Sequence, residues 1–538
     1  MTLDSTQTAA PAQSDILGRL LFGLAVLTLA LTPTQMTFTV KHLDLTPAEL
    51  VLIAAAVVWA IRWLQVRDTH SLPPLSNWLI IGVAVVGLFS LLASTHSAEH
   101  IAALNVHHHT GIKHALSRLF ALSDQQKTGV KLALIKIAQL SLYLLVAVTV
   151  FRAVLTSQRR IRIAVIALLA GTTLAVLLGV CQWGLLQRYY QPVPSERIVF
   201  ADSKARLGED QPQPTGKTRM GYWDKHGVFH RASRWKAFFC VETPGAVSST
   251  FGNWSKHGYH PSRHGYAGFL ALVLPFALAL LVTERKKPGF VFWMSLFFLG
   301  AALTVLAGYL LPAIVIGLLA AAFSIGGKTS WRVLYTMFGY VIVITLITRV
   351  FFHAHTAQQA FIEPFMLKIT PQEARYYTPD GDGVPLLKKF WGEQQAGLNV
   401  YRHYPLFGVG SGSYQEAIAT GYDTLGDIDK QRLEPDSQNG YILTLVSNGL
   451  LGLAALLVLL GGYLRRARER MHYKRGDPWA AAQLGALVAV IFLLCATNIW
   501  VRGTSLVFAA LLAMIANSAT PSPEGRINQQ EEEPFSCV

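Results

Sequence analysis

The fold class this sequence predicts is an all-α polytopic membrane protein, with about 12 transmembrane helices and large non-cytoplasmic loops. Three observations predict it. Hydrophobic residues make up 52% of the 538 positions and charged residues 14%, against the roughly 25% charged of soluble domains. Apolar runs near the roughly 20 residues that a bilayer demands recur through most of the chain. Arg and Lys gather in short connections, RRIR (159–162), ERKK (284–287) and RRARERMHYKR (465–475), which is the positive-inside pattern. Placed this way, the net charge of +15 speaks for membrane orientation and against nucleic-acid binding.

Residues 1–15 form a polar tail, expected to be disordered and cytoplasmic. The first apolar run, Ile16 to Leu31, lacks a small-residue cleavage site after it and reads as a retained helix. Further spans are expected at about 48–64, 76–93, 132–151, 161–181, 264–282, 290–306, 310–325, 333–352, 440–464, 480–499 and 503–517. Gly308, Tyr309 and Pro312 break the long run 290–325 into a hairpin of two helices. The membrane domain therefore covers 16–517, and the acidic tail 518–538, with PSPEG and QQEEEP, is expected to be disordered. The four cysteines, Cys181, Cys240, Cys495 and Cys537, have no framework or zinc-site spacing.

With the N-terminus inside, every short basic connection falls on the cytoplasmic side, and the long loops 94–131, 182–263 and 353–439 fall outside. The first loop carries HSAEH (96–100) and NVHHHTGIKH (105–114). Imidazoles suit zinc, copper or nickel, but no carboxylate or cysteine pattern gives a geometry, and a solvated amphipathic loop is the favoured reading. The second loop is aromatic and basic, which fits an interfacial belt, with Arg263 and His264 set apart because they open the sixth span at headgroup depth. In the third, DGDG (380–383) lacks the remaining ligands of a calcium loop and reads as a turn.

Chemistry is expected around Asn399–Arg466. There a Pro- and Gly-punctuated turn, NVYRHYPLFGVGSGSY, leads through EPDSQNGY into the apolar run of the tenth span. Glu434 and Asp436 just ahead of that span are either helix-capping carboxylates or groups within reach of a sugar hydroxyl. No P-loop, dinucleotide-binding glycine motif, nucleophile elbow or HExxH is present.

PLFGVGSGSY (405–414) followed by SQNGYILTLVSNGLLGL (437–453) resembles the hallmark segment of the O-antigen ligase and polymerase superfamily of bacterial membrane enzymes. STFGN (249–253) with HGYAGFLALVLPFALALL (264–281) is similar to a second family block, so the resemblance covers about 245–465. It implies a multi-pass protein of the bacterial inner membrane that takes a glycan from an undecaprenyl-diphosphate carrier at the periplasmic face. The acceptor would be a growing glycan, a lipid A-core or another hydroxyl, and neither metal, nucleotide sugar nor other cofactor is implied.

The family's histidine before the hallmark asparagine is here Gln438, followed by Asn439, and glutamine is no general base. The family's arginine after the seventh span is missing from LAGYLLPAI (306–314), and His264 stands where an asparagine is usual, preceded by an insertion WSKHGYHPSR (254–263). The catalytic candidates are therefore Asp436, first choice as base, with Glu434 and His264. Arg263, Arg402, His403, Gln438 and Asn439 are the candidates for diphosphate or glycan contacts. Transfer to protein, a transporter or flippase of lipid-linked glycan, and a non-catalytic family member are the alternatives.

Overall fold

The computed structural model describes residues 16–34, 38–40, 43–66, 82, 86–91, 93, 124–189, 221–223, 229–231, 252–255, 258–261, 263–304, 311–326, 331, 335, 339, 386–411, 413–414, 417–418, 421, 439–473, 476–500 and 502–517. Among them the chain is helical apart from three short antiparallel hairpins. Five helices are long and apolar enough to cross a membrane: Pro47–Gln65, Ala133–Val154, Gln158–Val180, Gly265–Thr283 and Gly440–Tyr473. Of the expected spans, 76–93 falls mostly, and 333–352 almost wholly, outside the described residues. The first loop's histidine patch and both tails lie outside them as well.

Helix α1 (Ile16–Leu31) leads through the hairpin β1 (Phe38–Val40) and β2 (Leu43–Leu45) to α2 (Pro47–Val66). Local sequence dictates where α2 starts. Pro47 needs no donor at the first helical position, and Thr46 and Glu49 form a reciprocal capping box. The Glu49 amide donates to Thr46 Oγ1 at 3.2 Å and the Thr46 amide donates to Glu49 Oε2 at 2.7 Å. Helix α3 (Asp124–Ser141) continues through a π-helical stretch (Leu142–Ala147) into α4 (Val148–Val154). Tyr143, in the π stretch, donates its hydroxyl to Glu49 Oε1, and Gln139 Nε2 donates to that hydroxyl at 3.1 Å. Glu49, 2% exposed, is thus a buried carboxyl group whose oxygens are met by hydrogen-bond donors.

Helix α5 (Gln158–Tyr189) is followed by two hairpins, β3 (Gly221–Trp223) with β4 (Phe229–Arg231) and β5 (Gly252–Ser255) with β6 (Gly258–Pro261). The second pairs Asn253 with His260 and Trp254 with Tyr259, so most of the insertion read from the sequence folds as a ribbon directly ahead of α6 (Arg263–Thr283). Then come α7 (Pro288–Thr304) and α8 (Leu311–Ile325), two helices as Gly308, Tyr309 and Pro312 predict, with Pro312 in the first turn of α8. The remaining helices are α9 (Leu386–His403), α10 (Gly440–Tyr473), α11 (Pro478–Leu493) and α12 (Arg502–Asn517).

Helix α6 is the hub of the bundle. Every described side chain from Tyr266 to Leu280 is buried, as befits a helix apolar on all faces, and α7, α8, α11 and α12 pack around it. Small residues let backbones close up where the bilayer offers no hydrophobic drive: a Cβ on Gly485 of α11 would lie 2.5 Å from the Gly317 carbonyl oxygen of α8.

The helix ends sort the charges. Arg162 at the start of α5 pairs with Glu284 just past α6, and Lys287 joins them at 3.0 Å. Asn517, ending α12, donates to the Arg152 and Leu155 carbonyls at 2.7 and 3.1 Å. Arg470 donates to Gln483 at 2.7 Å, beside Asp477, which caps α11 through the Trp479 amide at 3.0 Å. All three basic clusters read from the sequence therefore collect at one end of the bundle. At the other end, the Gly440 amide donates to the Leu494 carbonyl at 2.8 Å, and Gly268 of α6 faces Thr497 and Leu493. The heads of α6 and α10 thus share the turn after α11.

Candidate functional site

The sequence predicts an unbroken span at 440–464, and α10 departs from that: it is broken at Gly449, where φ is 64° and ψ −165°. A break leaves the last carbonyls of the upper piece and the first amides of the lower piece without helical partners. In hydrocarbon each orphan costs several kcal/mol. The turn at 405–410 supplies the partners. The Val409 and Gly410 amides donate to the Val446 and Ser447 carbonyls, both at 2.8 Å. The Leu450 and Leu451 amides donate to the Pro405 and Leu406 carbonyls at 2.8 and 3.3 Å. Four backbone hydrogen bonds therefore clasp the turn into the gap.

The fit leaves no room for side chains at two glycines. A Cβ on Gly449 would lie 2.2 Å from the Leu406 carbonyl oxygen, and one on Gly408, whose φ is 69°, would lie 2.4 Å from that of Val446. Both occupy a left-handed region that other residues reach only at a cost. Leu450 to Leu464 rises about 22 Å, so the clasp lies within the half of a roughly 30 Å hydrocarbon layer farther from the basic end. Leu406, Phe407, Leu450 and Leu451 are correspondingly exposed and apolar. Phe89, in the helical stretch 86–91, stacks on Phe407 with ring centroids 4.6 Å apart.

Behind this apolar rim runs a polar seam. The Ser411 amide donates to Ser90 Oγ at 2.8 Å, the two serine hydroxyls lie 2.8 Å apart, and Ser411 Oγ donates to Asn448 Oδ1 at 3.3 Å. Ser413 is 1% exposed, and its hydroxyl has no hydrogen-bond partner among the described residues. Helix α9 flanks the upper piece of α10 through a buried stripe of Glu393, Ala396, Gly397 and Val400, with Gly397 against Ile442.

The structure places the sequence candidates unevenly. Arg402 and His403 are exposed in the last turn of α9, directly before the clasping turn, where cations also suit the helix dipole. Asn439 is buried and caps α10: its Oδ1 accepts from the Tyr441 and Ile442 amides at 3.0 and 3.1 Å. Arg263 and His264 open α6 at the end where α10 begins. Glu434, Asp436 and Gln438 lie outside the described residues.

Sequence reasoning passed over Ser90, Asn448 and Glu393. Asn448-Gly449 is a turn dipeptide inside an apolar run, and that signal points to the break. Glu393 gives no such signal, since an acid in an amphipathic helix looks like a solvated face until its stripe is seen buried.

Hydroxyls and an amide beside an apolar rim can hold polyol groups at the membrane boundary, and the cations of α9 can attract an anion. Among the described residues no group of three His, Cys, Asp or Glu side chains is placed to hold a metal. In comparisons with known proteins, the chain matches no family model and no curated protein.

Proposed function

We propose that this protein is a membrane glycan transferase that joins or polymerises undecaprenyl-diphosphate-linked oligosaccharide at the face opposite its basic end. By the positive-inside rule that face is periplasmic. The observation that carries the reading is the clasp itself. The two segments whose sequences resemble the O-antigen ligase and polymerase hallmark, 405–414 and 437–453, are bonded to each other through four backbone hydrogen bonds about Gly449. The head of α6, which carries the apolar part of the second resembling block, opens at the same end of the bundle.

In this reading the exposed apolar rim lies against lipid, the seam of Ser90, Ser411 and Asn448 faces glycan hydroxyls, and Arg263, Arg402 and His403 neutralise the leaving diphosphate. Asp436, with Glu434 and His264 as alternates, takes the acceptor proton, and acceptors are glycan, lipid A-core or another hydroxyl. The test is purified protein with lipid-linked oligosaccharide, following release of the lipid diphosphate. Wild-type release, with a loss of about 100-fold or more in Asp436→Ala, is expected. Unchanged turnover in Asp436→Ala, Arg263→Ala and Arg402→Ala alike would remove the assignment.

One observation favours a second reading. Transporters build substrate sites from discontinuous helices, and here α10 is broken. Glycan-lipid movement across proteoliposomes without release of lipid diphosphate would select the flippase reading.

A further inference from the structure

Helices α11 and α12 have 16 residues each, a rise of about 24 Å against a hydrocarbon layer of about 30 Å. Both are fixed at the basic end, through Asp477 and Asn517, so the turn that joins them stops short of the opposite surface. Helix α6 overtops it. Gly268 of α6 faces Thr497 and Leu493, and from there α6 continues outward to Arg263, a further rise of about 7 Å. Helix α10 starts level with the turn: the Gly440 amide donates to the Leu494 carbonyl at 2.8 Å, and a Cβ on Gly440 would lie 3.1 Å from the Thr497 carbonyl oxygen. The turn is therefore a floor inside the outer part of the hydrocarbon layer, with the head of α6 rising beside it.

This floor is polar. Thr497, Asn498, Thr504 and Ser505 are all buried in it. Ser505 Oγ donates to the Ile499 carbonyl at 2.9 Å, Asn498 Oδ1 accepts from the Trp500 amide at 3.0 Å, and the Trp500 ring meets Phe508 edge-on at 6.1 Å. The turn and the head of α12 are thus one unit, and Asn498 keeps its Nδ2 as a donor. Thr504, in the first turn of α12, is 3% exposed, and its hydroxyl has no hydrogen-bond partner among the described residues. Arg502 opens the helix, where first-turn amides lack helical acceptors and Val501 has no side-chain oxygen to cap them. Neither α6, α11, α12, the connection 494–501 nor residues 440–453 of α10 contain Asp or Glu. A cation at hydrocarbon depth is costly and marks a site, and the helix dipole adds to its positive field. The answering group must be an anion rich in oxygen acceptors, carried to that depth on an apolar tail. We propose that the floor of Arg502, Asn498 and Thr504 binds the diphosphate of the undecaprenyl-linked donor, with Arg502 a cation additional to Arg263. This rests on the transferase reading and names where its lipid diphosphate is held.

The test uses the full-length protein in neutral detergent, titrated with undecaprenyl diphosphate, undecaprenol or inorganic diphosphate. Bound ligand is read by native mass spectrometry and folding by the thermal-unfolding midpoint. Wild type is expected to bind undecaprenyl diphosphate at least about tenfold more tightly than undecaprenol, with the dissociation constant rising about thirtyfold in Arg502→Gln and about fivefold in Arg502→Lys. Thr504→Val separates a ligand contact from a structural role. Removing a buried hydroxyl that has no partner in the protein should raise the midpoint, while binding weakens about fivefold. Arg465→Gln, at the basic end, should change neither. Wild-type affinity in Arg502→Gln, or equal affinity for undecaprenol, would overturn the site. Inorganic diphosphate binding as tightly as the lipid would overturn a lipid-borne ligand. If Arg502→Asp with Asp436→Arg regains the wild-type midpoint and affinity, Arg502 serves an internal ion pair and the proposal fails. The titration reads binding without turnover. Release of lipid diphosphate that persists when Arg502→Gln binds normally would fail this site alone, whereas Arg502-dependent binding without any release would support the site and remove the transferase.

Discussion

Above Gly449, α10 is held by other parts of the chain. Gly440 bonds to the turn after α11, Ile442 packs on α9, and Val446 and Ser447 accept from the inserted turn. Below it, Leu456, Leu460 and Tyr463 pack side chains into the core, while Gly461 and Gly462 face open space and Val458 is turned outward. Both pieces are apolar and glycine-containing, so composition does not separate them. The difference lies in the backbone: the helix is interrupted where a second segment arrives with two donors and two acceptors, and runs on where none does. A break inside a bilayer survives only with its orphan groups matched, so the two hallmark segments behave as one structural unit.

The contrast is open to attack at both places. The largest effect is expected for Gly449→Ala and, close behind it, Gly408→Ala. Each forces a side chain onto a carbonyl and into a costly backbone region, destabilising by about 3 kcal/mol or more, read as a collapse of the detergent thermal midpoint and of any transfer activity. A wild-type midpoint in either would mean that the clasp is not what holds the two segments together. Asn448→Ala, which removes only the bond from Ser411, is expected to cost about 1 kcal/mol. It should leave the fold intact while weakening transfer, and a variant altered in neither would take the polar seam out of the site. The smallest effect belongs to Gly461→Ala, expected to be neutral or to stabilise by up to about 1 kcal/mol through helix propensity. A large loss there would show that lower α10 is as constrained as the upper part.

Much of the fold was legible because its causes are local. Span positions follow from the length of apolar runs, and the basic end follows from where Arg and Lys fall between them. The start of α2 was written in Thr46, Pro47 and Glu49 as a capping box at the first helical position. What the sequence hid was the second use of Glu49, whose other oxygen accepts from Tyr143 nearly a hundred residues away. The candidate site divides in the same way. The glycine-rich turn and the head of α10 are readable as such, and Asn439 resolves into a cap, whereas Ser90 enters the seam from a distant span and carries no local mark.

The sequence alone determined that this is a helical membrane chain and which helix ends carry the cations, because hydropathy and charge are properties of neighbours along the chain, whereas the amphipathic α9 was read only as part of an outer loop. Only the tertiary structure decided that the turn at 405–410 enters the gap at Gly449 and that Ser90 joins the seam beside it. Both depend on partners far apart in sequence. Backbone hydrogen bonds carry no side-chain signature, and a serine in an apolar run shows no partner until the distant turn is in place.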